Sequence, residues 1–373
     1  MSTATPQRFI ALDVFRGMTI CLMIVVNTGG GDPTFSFLEH AKWNGFTPTD
    51  LVLPSFMFAV GNAMSFVMNK WQGQGNAWVL KKIFKRTFII FLLGFLMYWF
   101  PFFKPTDGHW ALAPFSETRV FGVLQRIALG YCAASLMVWF LKPRTAAIIS
   151  VLILLLYWPV MMYFGDGPDP LDIHTNAVLK LDTWLIGTKH LYMGEGFPFD
   201  PEGLLSTFPS IVNVVAGYLV GRYIQKKGNT YEGLTKLLMT GFILFVLARW
   251  WNLGFPINKK LWTSSFVLNT VGLDCMILAC VIYLIDFKNK TKSVYFFQVF
   301  GRNPLSIYLL SELLVIILFI IPVGDQSLFR WINATIFAQL PDYFASLAFA
   351  VCYMLLCWSV GYWLDKKKIY IRV

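Results

Sequence analysis

Ten stretches of about twenty mostly apolar residues, separated by short polar segments, limit what this chain can fold into. They fall at about 10–28, 50–69, 84–103, 119–141, 145–164, 204–224, 236–254, 263–286, 295–322 and 343–364. In a bilayer each becomes a spanning helix, because only a helix or a closed barrel satisfies its backbone without water. The expected fold is therefore all-α: a polytopic integral membrane protein of about ten transmembrane helices, one domain over residues 1–373. Composition agrees, with 57% hydrophobic and 14% charged residues against roughly 25% charged in a soluble domain. Residues 1–7 are polar and no small-residue cleavage site follows the first run, so that run is expected to stay as a span.

The net charge of +11 does not point to nucleic acid, because the positives are split into clusters between apolar runs. One set of loops holds Lys70, Lys81, Lys82, Lys85 and Arg86; Lys142 and Arg144; Arg222, Lys226, Lys227 and Lys236; and Lys288, Lys290 and Lys292. The tail adds Lys366, Lys367, Lys368 and Arg372, and the alternate loops are poorer in positives. By the positive-inside rule both termini face the cytoplasm and the loop after the first run faces away. Membrane lipid, not nucleic acid, is the expected surrounding. All six cysteines lie within apolar runs without zinc-ligand spacing, so they are expected to be small core residues and no metal is expected.

Between the first two runs lies a polar, glycine-rich stretch: Asn27-Thr-Gly-Gly-Gly31, then His40-Ala-Lys-Trp-Asn-Gly45, then Thr47-Pro-Thr-Asp50. Irregular backbone near a bilayer survives only where protein or a water-filled cavity surrounds it, so this stretch is the first candidate site. His40 can act as base or nucleophile, and either Asn27 or Asp50 can fix its tautomer. The three glycines allow close backbone approach and free N–H donors for an oxyanion. No nucleophile elbow, HExxH or metal-ligand cluster is present. A metal-free transfer centred on His40, with Asn27 and Asp50 as partners, is the expected chemistry.

Charges inside the expected spans mark further candidates, since charge at such depth is costly. Asp13 and Arg16 stand three apart on one helix face, as do Arg119 and Arg126 seven apart. Arg249, Asp274, Asp286, Arg302 and Glu312 are also intramembrane. The outward loops carry Asp182, His190, Asp200, Glu202 and Trp262 in mixtures suited to a polar or sugar ligand, while His109 and His174 read as surface residues.

In this order, Leu12-Asp-Val-Phe-Arg-Gly17, Asn27 with its glycines, His40-Ala-Lys-Trp-Asn-Gly45 and Asp50-Leu51 strongly resemble the heparan-α-glucosaminide N-acetyltransferase family. The resemblance continues through Gly122-Val-Leu-Gln-Arg126, Gly187-Thr-Lys-His-Leu-Tyr192, Asp200-Pro-Glu-Gly203, Asn258-Lys-Lys-Leu-Trp262 and Gly301-Arg-Asn-Pro-Leu305. It covers essentially the whole membrane domain. It implies a compact bacterial-type relative, in an inner membrane, without the extra amino-terminal lumenal region of the lysosomal enzyme. The segment between Asn27 and His40 is about two residues longer than in that enzyme, which puts the loop shape in question.

The resemblance implies that acetyl-CoA, entering from the cytosol, gives its acetyl group to the amine of a glucosamine-type sugar on the far side. His40 then takes the family's active-site position, with Asn27 the asparagine before the glycines. Arg16, Arg126, Arg302 and Asn303, expected toward the cytoplasmic half, are candidates for holding the coenzyme A phosphates. Trp43, Asn44, Asp182, His190, Asp200, Glu202 and Trp262 are candidates for the sugar. Direct transfer with His40 as base is preferred to an acetyl-imidazole. A homodimer is compatible. The alternatives are a secondary transporter of a sugar or other polar solute, and an acyltransferase with another acyl group or a hydroxyl acceptor.

Overall fold

The computed structural model describes residues 10–31, 33–106, 109–227 and 230–371. Its helices are α1 (Ile10–Asn27), α2 (Val52–Trp71), α3 (Asn76–Trp99), α4 (Val123–Phe140), α5 (Pro143–Phe164), α6 (Ala177–Ile186), α7 (Leu204–Lys227), α8 (Tyr231–Trp251), α9 (Ser264–Ile282), α10 (Val294–Arg302), α11 (Pro304–Ile320), α12 (Leu328–Ile332) and α13 (Asp342–Lys366). Among the described residues, eight helices are long and apolar enough to cross a membrane, or nine if α10 and α11, bent by 82° at Asn303, count as one broken span. That is fewer than ten. The helix at the third expected span is α3, and Lys81, Lys82, Lys85 and Arg86 in its first turns make it too charged to meet the same criterion.

Two further expectations are corrected. The bundle is helical, but its loops carry two antiparallel hairpins, β1 (Phe103–Thr106) with β2 (His109–Leu112) and β3 (Pro322–Val323) with β4 (Gln326–Ser327). The fourth long helix begins at Val123, so Arg119 precedes it in extended chain and does not share a helix face with Arg126. The cysteines also divide. Cys21, Cys275 and Cys357 are buried as expected, whereas Cys280 and Cys352 are exposed on the outer faces of their helices.

Small residues set the closest crossings. A Cβ on Gly61 of α2 would stand 1.9 Å from the Val214 carbonyl oxygen of α7, and one on Gly217 of α7 would stand 2.0 Å from that of Phe58. Backbones that close leave room for hydrogen only, which is how helices pack where lipid offers no hydrophobic drive. Gly17 of α1 and Gly301 of α10 repeat the arrangement at the other end of the bundle. Around these crossings α1, α2, α4, α7 and α9 form the main core. A smaller core, from Tyr157, Met161, Ala177, Val178, Phe199, Phe255 and Leu261, lies beneath the loops that carry the site.

Candidate active site

His40 and Asp50 form a pair built by a tight local turn. Thr47 and Asp50 make a capping box ahead of α2, with the Asp50 N–H donating to the Thr47 carbonyl at 3.0 Å. Asp50 Oδ2 accepts from the backbone N–H of Ala41 (3.2 Å), the N–H of Thr47 (2.9 Å) and the Thr47 hydroxyl (3.1 Å). Its other oxygen is left for His40 Nδ1, at 2.7 Å. The Asp50 side chain is 0% exposed and that of His40 43%, so a rigid buried carboxylate orients a ring that still meets solvent. With Nδ1 donating to the carboxylate, Nε2 carries the lone pair.

A loop from the far side of the sequence closes over that ring. Gly45 N–H donates to the Ile257 carbonyl (2.8 Å), and Asn258 Nδ2 to Asn44 Oδ1 (3.1 Å), stitching the His40 turn to the segment before α9. Lys260 Nζ adds bonds to the Lys42 carbonyl (2.9 Å) and to Glu195 (2.5 Å). The neighbouring Lys259 points inward, its Nζ 3.1 Å from His40 Nδ1 and 2.9 Å from Nε2. Burial pulls the Lys259 ammonium below the usual lysine range, against the pull of the Glu202 and Asp50 carboxylates.

Behind the pair stands a second ionic cluster. Arg119 grips Asp200 with two bonds (2.8 and 2.6 Å) and Glu202 with a third (2.7 Å). Its guanidinium lies between the rings of Tyr98 (4.8 Å) and Tyr192 (4.6 Å). Burial pushes the Glu202 carboxyl up, but Arg119, Arg126 and Lys259 together outweigh it and hold the group below its ordinary range. Asn27 Nδ2 donates to Glu312 of α11 at 3.2 Å and not to His40, so Asp50 and not Asn27 holds Nδ1. The N–H of Gly30, expected to be free for an oxyanion, is spent on Ser346. A groove of about 300 Å³ opens beside the ring, lined by Val25, Thr34, Phe35, Glu39, His40 and Tyr343 among others.

The remaining candidates sort by which end of the bundle holds them. Arg126 stands in the first turn of α4, bonded to the Gly203 carbonyl (3.2 Å) and to the Ser206 hydroxyl at the start of α7, with Trp262 4.6 Å beneath it. It therefore belongs to the His40 end, because α4 starts only at Val123. Trp262 is no surface platform: it is 0% exposed, bonded to Asn213 at 3.1 Å, and left-handed at φ 51°. Trp43 donates to the Leu171 carbonyl (3.1 Å) and packs edge-on against Phe199. His190 is tied to the Thr118 carbonyl at 2.7 Å. Asp182 caps α7 through the Leu204 N–H (2.9 Å), and burial lifts its carboxyl to about 7.

At the opposite end, Arg16 pairs with Asp13 at 2.9 Å. Arg302 Nη1 reaches both oxygens of Asp365 at 2.7 Å, which also accept from Tyr295 and Tyr370. Asn303 holds the chain's tail, donating to the Ile369 carbonyl (2.9 Å) and accepting from the Ile371 N–H (3.0 Å).

Comparison with known proteins decides the family. The family model described as "Heparan-alpha-glucosaminide N-acetyltransferase, catalytic" matches residues 8–250. The chain belongs to this family. It is 27% identical over 370 residues to the heparan-alpha-glucosaminide N-acetyltransferase of Mus musculus and 28% identical over 365 residues to that of Homo sapiens. Each match covers 83% of this chain, and the chain spans about half the length of these relatives, 54% and 53%.

Within this N-acetyltransferase family member, the structure gathers His40, Asp50, Asn44, Asp200, Glu202 and Arg126 at one end. It also brings in Lys259, Arg119, Tyr98 and Glu312, which the sequence analysis did not place in the site. Lys259 stands three residues before Trp262 in a motif already singled out, but as one lysine of an outward loop it carried no signal of its own. Arg119 and Glu312 are visible in sequence only as intramembrane charges.

Proposed function

We propose that this protein is an acetyl-CoA-dependent N-acetyltransferase that acts on the amine of a glucosamine-type sugar, with His40 as general base. The observation that carries the reading is the His40–Asp50 pair, in which a buried carboxylate on Nδ1 leaves the lone pair on Nε2, where Lys259 Nζ meets it at 2.9 Å. A sugar amine is mostly protonated near neutral pH and must lose a proton before it can attack. Nε2 takes that proton, the amine nitrogen bonds to the acyl carbon, the C–S bond breaks, and the second proton the nitrogen loses passes to the departing sulfur, so coenzyme A leaves as the thiol. Family membership supports the acetyl chemistry, and the name of the mouse and human relatives supports the amino-sugar acceptor. The acceptor enters by the groove beside His40, where Phe35 and Tyr343 offer aromatic faces and Glu39 a carboxylate for the ammonium.

The charge pattern supports a cytoplasmic position for both termini and for the end that holds Arg16 and Arg302. Acetyl-CoA then binds from that end, in a bacterial inner membrane, and its phosphates compete with Asp365 for Arg302. Arg126, at the acceptor end, is reassigned from the coenzyme A phosphates to the ionic cluster around Glu202.

The test is purified protein with labelled acetyl-CoA and glucosamine. Wild type is expected to form N-acetylglucosamine, and His40→Ala to lose roughly 10²–10⁴-fold in kcat. No acetylated amine from wild type would remove the reading. Equal turnover in both would keep the enzyme and remove its base. Rapid mixing without acceptor separates the two routes, since stoichiometric acetyl-His40 would replace direct transfer by an acetyl-imidazole.

A further inference from the structure

An acyl transfer needs more than a base. As the amine attacks, the carbonyl π electrons move onto oxygen, and the resulting oxyanion needs a donor aimed at it. Of the donors expected from the glycine turn, Gly30 N–H is spent on Ser346. The cation that reaches the reacting nitrogen is Lys259, with Nζ 2.9 Å from Nε2. We propose that Lys259 is the oxyanion-stabilising residue of this site, an inference that rests on the acyl-transfer reading above.

Geometry places it there. The amine must approach within hydrogen-bond reach of Nε2, about 3 Å, and the acyl carbon bonds to that amine. The acyl oxygen therefore forms a few ångströms from a group that already stands 2.9 Å from Nε2. At rest the ammonium lies against the imidazole, 2.9 Å from Nε2. As the amine takes its place at Nε2, the ammonium turns to the oxyanion. It donates a hydrogen bond without giving up its proton, so collapse of the intermediate breaks C–S and returns Lys259 to its starting state.

The turn that carries Lys259 is braced for such a role. Asn258 Oδ1 accepts the Leu261 N–H (2.9 Å), Trp262 N–H bonds the Lys259 carbonyl (3.0 Å), and Thr263 N–H bonds the Asn258 carbonyl (3.1 Å). Trp262 is held at φ 51°, a conformation a bulky side chain adopts only where its surroundings over-determine it. Those surroundings are Asn213 on the indole N–H and Arg126 on the ring face. The charged groups acting on Lys259 are Asp50 from the turn before α2, Glu202 from the turn before α7, Arg126 from α4 and the adjacent Lys260.

Wild type, Lys259→Met and Lys259→Arg would be compared in the acetyl-CoA and glucosamine assay, each first shown to be monodisperse with an unchanged melting temperature. Should Lys259→Met not fold, Lys259→Gln replaces it and is read the same way. The expected result is a loss of ~10²–10³-fold in kcat for Lys259→Met, with KM for acetyl-CoA within about threefold and at least about tenfold recovery in Lys259→Arg. A wild type that makes no product removes acyl transfer and this role together. An active wild type with a dead His40→Ala and a Lys259→Met at wild-type kcat removes the role of Lys259 alone.

Discussion

The two ends of the bundle carry the same kinds of residue and use them differently. At one end Arg302 is closed onto Asp365, and Asn303 is closed onto the tail. At the other, three bonds from Ala41 and Thr47 hold Asp50 so that its free oxygen orients His40, while Nε2 and Lys259 meet each other. Intramembrane charge is therefore a poor guide to chemistry by itself. What marks the site is a polar group held rigidly by others yet still able to exchange its own partner.

The widest gap between the ends should appear in the stability of their arginine pairs. Asp200 and Glu202 are buried, with Arg119 as their shared cation. Arg119→Ala strands two carboxylates and should cost ~3–5 kcal/mol. Arg302→Ala leaves the 7% exposed Asp365 with two tyrosine hydroxyls near the bundle's end, and should cost roughly 1.5–3 kcal/mol. Denaturant-induced unfolding of the two variants in one detergent measures the difference. Equal losses would break the distinction between an internal cluster and a peripheral pair.

A second difference is in pH. Asp182 caps α7 with one oxygen while the other makes no hydrogen bond among the described residues, and burial lifts the carboxyl to about 7. The folded state thus binds this proton more tightly than the unfolded chain, whose carboxyl titrates near 4. Its stabilising contribution is complete below about pH 4 and is lost as pH rises through 7, at most roughly 4 kcal/mol in all. Melting temperature followed from pH 4 to 8 should therefore fall more steeply in wild type than in Asp182→Asn. Parallel curves would show that Asp182 is ionised in the folded protein and that the site end has no special pH response.

Length and apolarity made the spans legible, because a bilayer imposes one simple rule on every crossing helix. They fail where charge is mixed in, as in α3, or where a span breaks, as at Asn303 between α10 and α11. His40 and Asp50 were readable as a pair because ten residues of turn connect them. Lys259 was not, since the bond from Asn258 to Asn44 that sets its loop over the ring joins residues 214 positions apart. Trp262 misled for a related reason. An outward-loop tryptophan fits a platform for a sugar ring, but here it fills the floor under Arg126 and anchors the lysine turn.

The smallest expected effect tests the quieter end most directly. If Asn303 is a clamp, Asn303→Ala removes two hydrogen bonds to residues 369 and 371, at about 0.5–1.5 kcal/mol each. The tail should then become more accessible to carboxypeptidase, while KM for acetyl-CoA stays within about twofold, because no bond to the coenzyme has been lost. If Asn303 instead holds coenzyme A, as its place beside Arg302 suggested in sequence, losing its amide should raise that KM about tenfold or more, a hydrogen bond to a charged group being worth roughly 1.5–3 kcal/mol. The two readings differ in which quantity moves. A raised KM with an unchanged digestion rate would put Asn303 among residues that exchange partners, and the contrast between the two ends would no longer hold.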